Sequence, residues 1–240
     1  MMFRIDFHTH THHSYDCRMD PVRVLTLARE RGLNAIVIND HDTIRGGLEA
    51  RERNPFSDLE VIVGAEIKTD IGDVTGIYLK EEIHARAYAD VLLEIERQGG
   101  LSILNHPFVH HELAGVDFRG FDLIEGYNGR TDPARNAQAL ELARREGKPI
   151  VSGSDAHTYR EVARCHTRFA QGGIAALTSP IDQHYQQAGY SSIFQSVLTK
   201  AMKTGNSRLF LSTLARAPWA WTKYARLAAA DDQRSKVTHP

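Results

Sequence analysis

Cysteine and tryptophan are scarce in this sequence, two of each in 240 residues, and neither sign of charge prevails, with 29 Lys and Arg against 30 Asp and Glu. Cys17 and Cys165 show no scaffold spacing, which excludes a small disulfide-stapled fold; both read as reduced thiols, Cys17 as a bystander beside Asp16. A net charge of −1 supplies no global field to recruit nucleic acid or an anionic membrane, so attraction for a phosphate has to be local. No apolar run approaches the ~20 residues of a membrane span, and no basic-then-apolar leader opens the chain. The expected location is the cytoplasm. A Gly-x-Ser-x-Gly turn, a cysteine-based phosphatase loop and a Walker-type glycine loop are all missing, so no protein nucleophile or nucleotide cradle announces itself.

What is present suits one α/β domain. Apolar residues make up 42% of the chain, enough for a core at this length. Strand-like apolar runs alternate with helix-like stretches, the pattern of a parallel α/β fold. Pro21 opens a helix with Val24, Leu27 and Ala28 on one face, and Gly32 ends it. Further helices are expected at 84–98, striped by Ala87, Val91, Leu92 and Ile95, and at 133–146, striped by Ala137, Leu140 and Ala143. Residues 121–125 read as a strand and 59–79 as two neighbouring strands. From about residue 170 the chain turns loop-rich, then helical again over 191–203 and 208–230. The last helix mixes Trp219, Trp221 and Tyr224 with Arg216, Lys223 and Arg226, a face suited to packing on the domain or on a second copy in a homo-oligomer rather than to a membrane surface. Pro218 predicts a kink there, and 231–240 a polar tail.

The histidines and acids stand where apolar runs end. Phe3 to Phe7 leads into His8-Thr9-His10, whose imidazoles, two residues apart on an extended strand, point the same way. Asp16 follows beyond a turn. The neighbouring Thr11-His12-His13 also admits a plain histidine-rich surface loop or a tag fragment, although tags lack the preceding strand and the carboxylates. Ile36-Val37-Ile38 ends in Asn39-Asp40-His41-Asp42-Thr43, where Asp40 and Asp42 flank His41 and can accept a ligand ring's other N–H. Glu66 closes Val61 to Ala65 and has the two oxygens needed to bridge two ions. His106 closes Leu101 to Asn105, with Pro107 disfavouring helical geometry at it. Asp155 and His157 close Pro149 to Ser154.

Taken in order, Asp6-x-His8-x-His10, Asn39-Asp40-His41-Asp42-Thr43, Gly64-Ala65-Glu66, Asn105-His106-Pro107 and Gly153-Ser154-Asp155-Ala156-His157 resemble the successive motifs of the PHP (polymerase and histidinol phosphatase) superfamily over residues 3–165. The resemblance implies a distorted seven-stranded (β/α) barrel, TIM-barrel-like, with extra C-terminal helices: a catalytic core over 1–170 and a helical extension over 171–240. It implies up to three metal ions at the strands' carboxyl ends and hydrolysis of phosphoesters by a metal-bridging hydroxide. Family ligands carry over onto His8, His10, Asp16, His41, Glu66, His106, Asp155 and His157. One position departs: many members have a histidine where this chain reads Ile71-Gly72-Asp73, so Asp73 takes that place, with His84 as its rival.

Charge then suggests the chemistry. Three divalent ions bring six positive charges and Asp16, Glu66, Asp73 and Asp155 return four negative ones, leaving about two units positive, a match for a phosphate monoester dianion. The mixed nitrogen and oxygen donors suit zinc, manganese or iron, in two or three copies. Glu66 and Asp155 are the expected catalytic carboxylates. Asp42 either protonates the leaving group or orients His41, with orientation favoured. Lys68, Arg130 and Arg18 are the candidate phosphate contacts, with Arg160 behind them. The expected function is a metal-dependent phosphoesterase acting on a small phosphorylated metabolite or nucleotide. The alternatives are a nuclease or nucleotide phosphatase working on nucleic-acid ends, which the near-zero charge does not favour, and a metal-binding structural module without turnover, whose mark would be missing ligands. A freestanding chain also argues against a polymerase accessory domain.

Overall fold

The structure is a computed structural model, and it describes residues 2–215. In chain order the elements are β1 (Phe3–Asp6), α1 (Pro21–Glu30), β2 (Ala35–Ile38), α2 (Arg45–Glu52), β3 (Glu60–Lys68), β4 (Asp73–Ile77), α3 (Tyr88–Arg97), β5 (Leu101–Leu104), β6 (Leu123–Asn128), α4 (Pro133–Arg145), β7 (Ile150–Gly153), β8 (His166–Phe169), β9 (Asp182–His184) and α5 (Tyr190–Lys203). Residues 207–215 are helical as well. The remainder of the helix expected over 208–230, with Pro218, and the tail after it lie outside the described residues.

All nine strands belong to one sheet, ordered β7-β6-β5-β4-β3-β2-β1-β8-β9. It is parallel at β1–β2, β2–β3, β5–β6 and β6–β7. Around β4 it is antiparallel, and β8 and β9 form an antiparallel pair on the far side of β1. The sheet curls until β7 meets the chain leaving β1: Phe7 N–H donates to Ser152 O at 3.3 Å, and Thr9 pairs in parallel with Ala156. The result is a nearly closed barrel.

Among the described residues nine strands stand where seven were expected. The additional pair, His166–Phe169 and Asp182–His184, is short and has Phe169 as its one apolar residue, so it gives almost no alternating signal. Two boundaries also move. The third helix starts at Tyr88 rather than 84, because the N-terminal N–H of Tyr88 is satisfied by Asp70 Oδ1 at 2.8 Å, a residue from a separate turn. The strand expected over 121–125 starts at Leu123, after a short 3-10 turn at Phe118–Gly120. By contrast, α1 and α4 begin where proline follows a capping aspartate: Asp20 accepts from Arg23 N–H and Asp132 from Arg135 N–H.

Side chains alternate across each strand, and this period sorts them into layers. Val37, Ile62, Ile77, Ile103, Leu123 and Val151 pack with Ile5 and Phe7 in the barrel's interior. Their neighbours face the helices, Ile36 and Ile38 toward α1, and Leu104 and Ile124 toward α3 and α4. Two residues further toward the mouth along the inward rows stand Asn39, Gly64, Thr75, Asn105, Glu125 and Gly153, with Glu66 two beyond Gly64. The barrel is therefore apolar below and polar at the mouth. Because β4 runs against β3, with Lys68 opposite Asp73, the first residue of β4 joins the carboxyl ends of the parallel strands.

Helix α5 lies across that mouth. Lys203 Nζ donates to the carbonyls of His12, Ser14 and Cys17 at 2.8, 2.5 and 3.1 Å. Lys200 sits 4.7 Å above the Tyr15 ring. No helix among the described residues is long and apolar enough to cross a membrane.

Gly153 sits where the barrel closes, and a Cβ there would run into His8 Cβ and the Glu125 carboxylate. Gly153→Ala is expected to destabilise the fold by about 1–3 kcal/mol through overpacking, read as a lower urea midpoint. An unchanged midpoint would show that the closure has slack.

Candidate metal centre

Each apolar run ends at the mouth and delivers its polar residue there. His8 and His10 leave β1, His41 follows β2 and pairs with Glu66 of β3 in an isolated bridge, His106 follows β5, and Asp155 and His157 follow β7. Three of the turns need unusual backbone. Asp42, His106 and Asp155 have φ of 56°, 23° and 51°, values that a side chain adopts only when its surroundings impose them.

The donor atoms converge. Glu66 Oε2 lies 3.0 Å from His41 Nδ1 and 3.4 Å from the Nε2 atoms of both His8 and His10, while Glu66 Oε1 is 3.1 Å from His106 Nε2. Asp155 Oδ1 is 3.4 Å from His10 Nε2 and 3.7 Å from His8 Nε2. Asp16 spreads its two oxygens to His41 Nε2 and His157 Nε2, each at 3.3 Å. Three overlapping triads come close enough to hold an ion each: His10, His41 and His157; His8, Glu66 and His106; His8, His10 and Asp155.

Hydrogen bonds behind the ligands fix which nitrogen is free. Ser14 gives its single proton to Asp40 Oδ1 at 2.6 Å, so at 3.0 Å it accepts from His10 Nδ1–H. His8 Nδ1–H donates to Glu125 Oε1 at 3.0 Å, and His157 Nδ1–H to the carbonyl of Asp155 at 2.9 Å. All three rings therefore turn a bare Nε2 inward. With both rings neutral, the Nε2 atoms of His8 and His10, 3.1 Å apart, face one another lone pair against lone pair, and Asp16 Oδ1 is buried without a hydrogen-bond donor. Divalent cations fit this donor set: they would turn the opposed lone pairs and the buried carboxylates into bonds.

The titration of the groups states the same need for positive charge. Burial pushes His8 down, yet Glu66, Glu125 and Asp155 outweigh it and hold the ring well above its usual value. Burial is likewise overcome at His41 by Glu66 and Asp16, and at His106, raised to about 9, by its bond to Glu66. His10 goes the other way, to about 4, through burial and the neighbouring His157 and His41. Glu66, Asp16 and Asp155 resist burial and stay below the usual carboxylate range because imidazoles surround them. Asp73 is raised by burial and by repulsion from Glu66, which puts its carboxyl within electrostatic reach of the bridging position.

The remaining candidates separate. Arg130 is mostly covered, with Nη1 3.3 Å from Glu161 Oε1, Nε 4.0 Å from Asp155 Oδ2, and Nη2 donating to Ser196 Oγ of α5 at 2.6 Å. Lys68, Arg18, Arg160 and His84 are exposed. Asp42 Oδ1 accepts Lys68 N–H at 3.1 Å and pairs with Arg86 at 3.4 Å, whereas the ring of His41 is engaged by Glu66 and Asp16. Asp40 acts on His10 through Ser14 rather than directly. Sequence reasoning missed Ser14, Glu125 and His111. Glu125 carried a signal, being a charged residue on the inward row of an otherwise apolar strand. His111 carried none: it reaches the site by accepting Asp73 N–H at 3.0 Å, its ring edge-on to His106 with centroids 5.7 Å apart.

A nearly closed α/β barrel with a buried histidine–carboxylate centre at its mouth defines a class of metal-binding proteins. A family model described as PHP-associated matches residues 133–183. Uncharacterized protein MJ1587 of Methanocaldococcus jannaschii is 30% identical over 142 residues, 52% of this chain and 83% of that protein. Among solved structures, a two-domain protein from Bacteroides vulgatus containing a predicted PHP-like metal-dependent phosphoesterase superposes with a TM-score of 0.62 at 19% identity, over 74% of this chain and 61% of that one. PsfC from Pseudomonas syringae gives 0.60 at 19% identity, over 85% and 98%. The chain belongs to the PHP superfamily.

Chelation exposes the electrostatic need directly. The folded pKa of His106 is raised from 6.5 to about 9, so its stabilising contribution is complete below pH 6.5 and is lost as the pH rises through 9; His8 and His41, also raised, add in the same sense. The chelated protein is expected to melt at progressively lower temperature from pH 6.5 to 9.5, and the metal-loaded protein to lack that slope. A chelated protein that gains stability over this range would contradict the assignment.

Proposed function

We propose that this chain is a metal-dependent phosphoesterase that hydrolyses a small phosphorylated metabolite or nucleotide. The observation that carries the reading is the sharing of His8 and His10 among overlapping donor triads, which suits a polynuclear rather than a single-ion centre. In this reading His8, His10, Asp16, His41, Glu66, His106, Asp155 and His157 hold two or three divalent ions, zinc, manganese or iron, and Asp73 completes the third position. Bound ions would supply Lewis acidity, lowering the pKa of a coordinated water from about 16 to about 7 and neutralising phosphoryl oxygens.

The chain's own residues set the geometry around that chemistry. Glu66, which turns Oε2 to His8, His10 and His41 and Oε1 to His106, holds these ligand groups apart. Asp155 lies between His8, His10 and Arg130, where as an ionised carboxylate it would hold an ion beside the phosphate. Arg130, held by Glu161 and Ser196, offers its guanidinium edge to a phosphate at the mouth, and Lys68 and Arg18 stand exposed at the rim. Tyr15 stacks on His41 with ring centroids 4.6 Å apart and is 41% exposed, a surface for the organic part of a substrate. Metal-dependent phosphoesterase is also the description carried by the Bacteroides vulgatus relative, of which this chain spans 61%.

Two substitutions test the reading. His10→Ala and Asp155→Asn are each expected to lower hydrolysis across a panel of phosphorylated metabolites by about a thousandfold, on the order of 4 kcal/mol, with the fold retained by circular dichroism. Activity surviving in both would reject it. Asp73→Ala is expected to remove about one equivalent of metal by elemental analysis, and unchanged metal content would take Asp73 out of the ligand set.

A further inference from the structure

Outside the buried centre, one cluster of ligating side chains is used by nothing described so far. His12 and His13 follow directly from His10 and Thr11 but turn outward, and Glu49 of α2 comes up to meet them. His13 Nε2 lies 2.7 Å and His12 Nε2 3.5 Å from the same oxygen, Glu49 Oε2. The two rings are tilted by 31° with centroids 4.4 Å apart. The three donor atoms fall within 4.8 Å of one another and share no member with the buried triads.

We propose that His12, His13 and Glu49 form a separate divalent-cation site at the rim of the barrel mouth, one that takes zinc or a neighbouring borderline ion. Two imidazole nitrogens and one carboxylate oxygen are the donors such ions select, with the open side left to water. The carboxylate is already oriented: Arg53 holds Glu49 Oε1 by a charge-assisted hydrogen bond and leaves Oε2 to the histidines. The main chain is fixed as well. His12 N–H donates to the carbonyl of Met19 at 2.8 Å, His13 N–H to Thr11 Oγ1 at 3.3 Å, and Lys203 clamps the carbonyl of His12. Ordering of the ligands therefore costs little when an ion arrives, and the neutral His13 ring binds it by carrying its proton on Nδ1 and turning a bare Nε2 to the metal.

The site differs from the centre in access. His12 is 42% exposed while His10, two residues earlier, is fully buried, so the rim ion exchanges with solvent when the central ions do not. A cation there ties the 11–17 loop, which carries Ser14 and Asp16, to α2. The test is titration of the purified protein with zinc, its central ions left in place, by isothermal calorimetry and by anomalous diffraction from soaked crystals. The wild type is expected to take up one further equivalent at micromolar concentration, with an anomalous peak between His12, His13 and Glu49. Glu49→Gln, which keeps a hydrogen-bonding group but loses the charge, is expected to weaken uptake at least about tenfold, and His12→Ala with His13→Ala to abolish it, each without loss of central metal. Uptake as tight in Glu49→Gln and in the double variant as in the wild type would overturn the proposal, as would no uptake by the wild type. Loss of central metal or of hydrolysis in His10→Ala leaves the rim uptake intact, which keeps this site's failure distinct from failure of the proposed activity.

Discussion

Bare imidazole nitrogens and buried carboxylates are gathered at one end of this barrel so closely that only positive charge can keep them there. The Nε2 atoms of His8 and His10, 3.1 Å apart, repel when both rings are neutral, Glu66 is buried, and Asp16 and Asp155 are mostly covered. Protons supply part of the compensation, as the raised His8, His41 and His106 show. Divalent ions would supply it more completely, because each satisfies nitrogen and oxygen donors together. The apolar lower barrel holds the strands in register and so sets how far these donors can move apart.

Much of the architecture was legible because it follows local rules. Asp20-Pro21 and Asp132-Pro133 mark helix starts by themselves, and Val61 to Ala65 reads as a buried strand without help. What failed depended on partners distant in sequence. The first turn of α3 is satisfied by Asp70, from another turn, and the pair β8–β9 exists because β1 offers an edge, not because His166–Phe169 or Asp182–His184 demands to be extended. A single sequence records neither fact.

The centre divides the same way. The histidines and acids at the ends of apolar runs, whose donor atoms do come together at the barrel mouth, were visible as candidate ligands from position alone. The groups that orient them were not. Glu125 holds His8 and also accepts His106 N–H at 2.9 Å, joining two ligands nearly a hundred residues apart in sequence. Ser14 relays Asp40 to His10, and the inward placement of Asp73 follows only from the antiparallel turn of β4 against β3. Asp42, which adjacency assigned to His41, is instead taken by Lys68 N–H and Arg86. Adjacency in sequence is a poor guide wherever a turn separates two side chains.

The central claim is that these donors hold ions together rather than one at a time. X-ray absorption spectroscopy on the reconstituted protein, in the His12→Ala/His13→Ala background, measures this most directly. The account predicts a mixed nitrogen and oxygen shell at about 2.0–2.2 Å and a metal–metal scattering path at about 3.5–4 Å. A first shell of the same kind with no metal neighbour at any loading would contradict it.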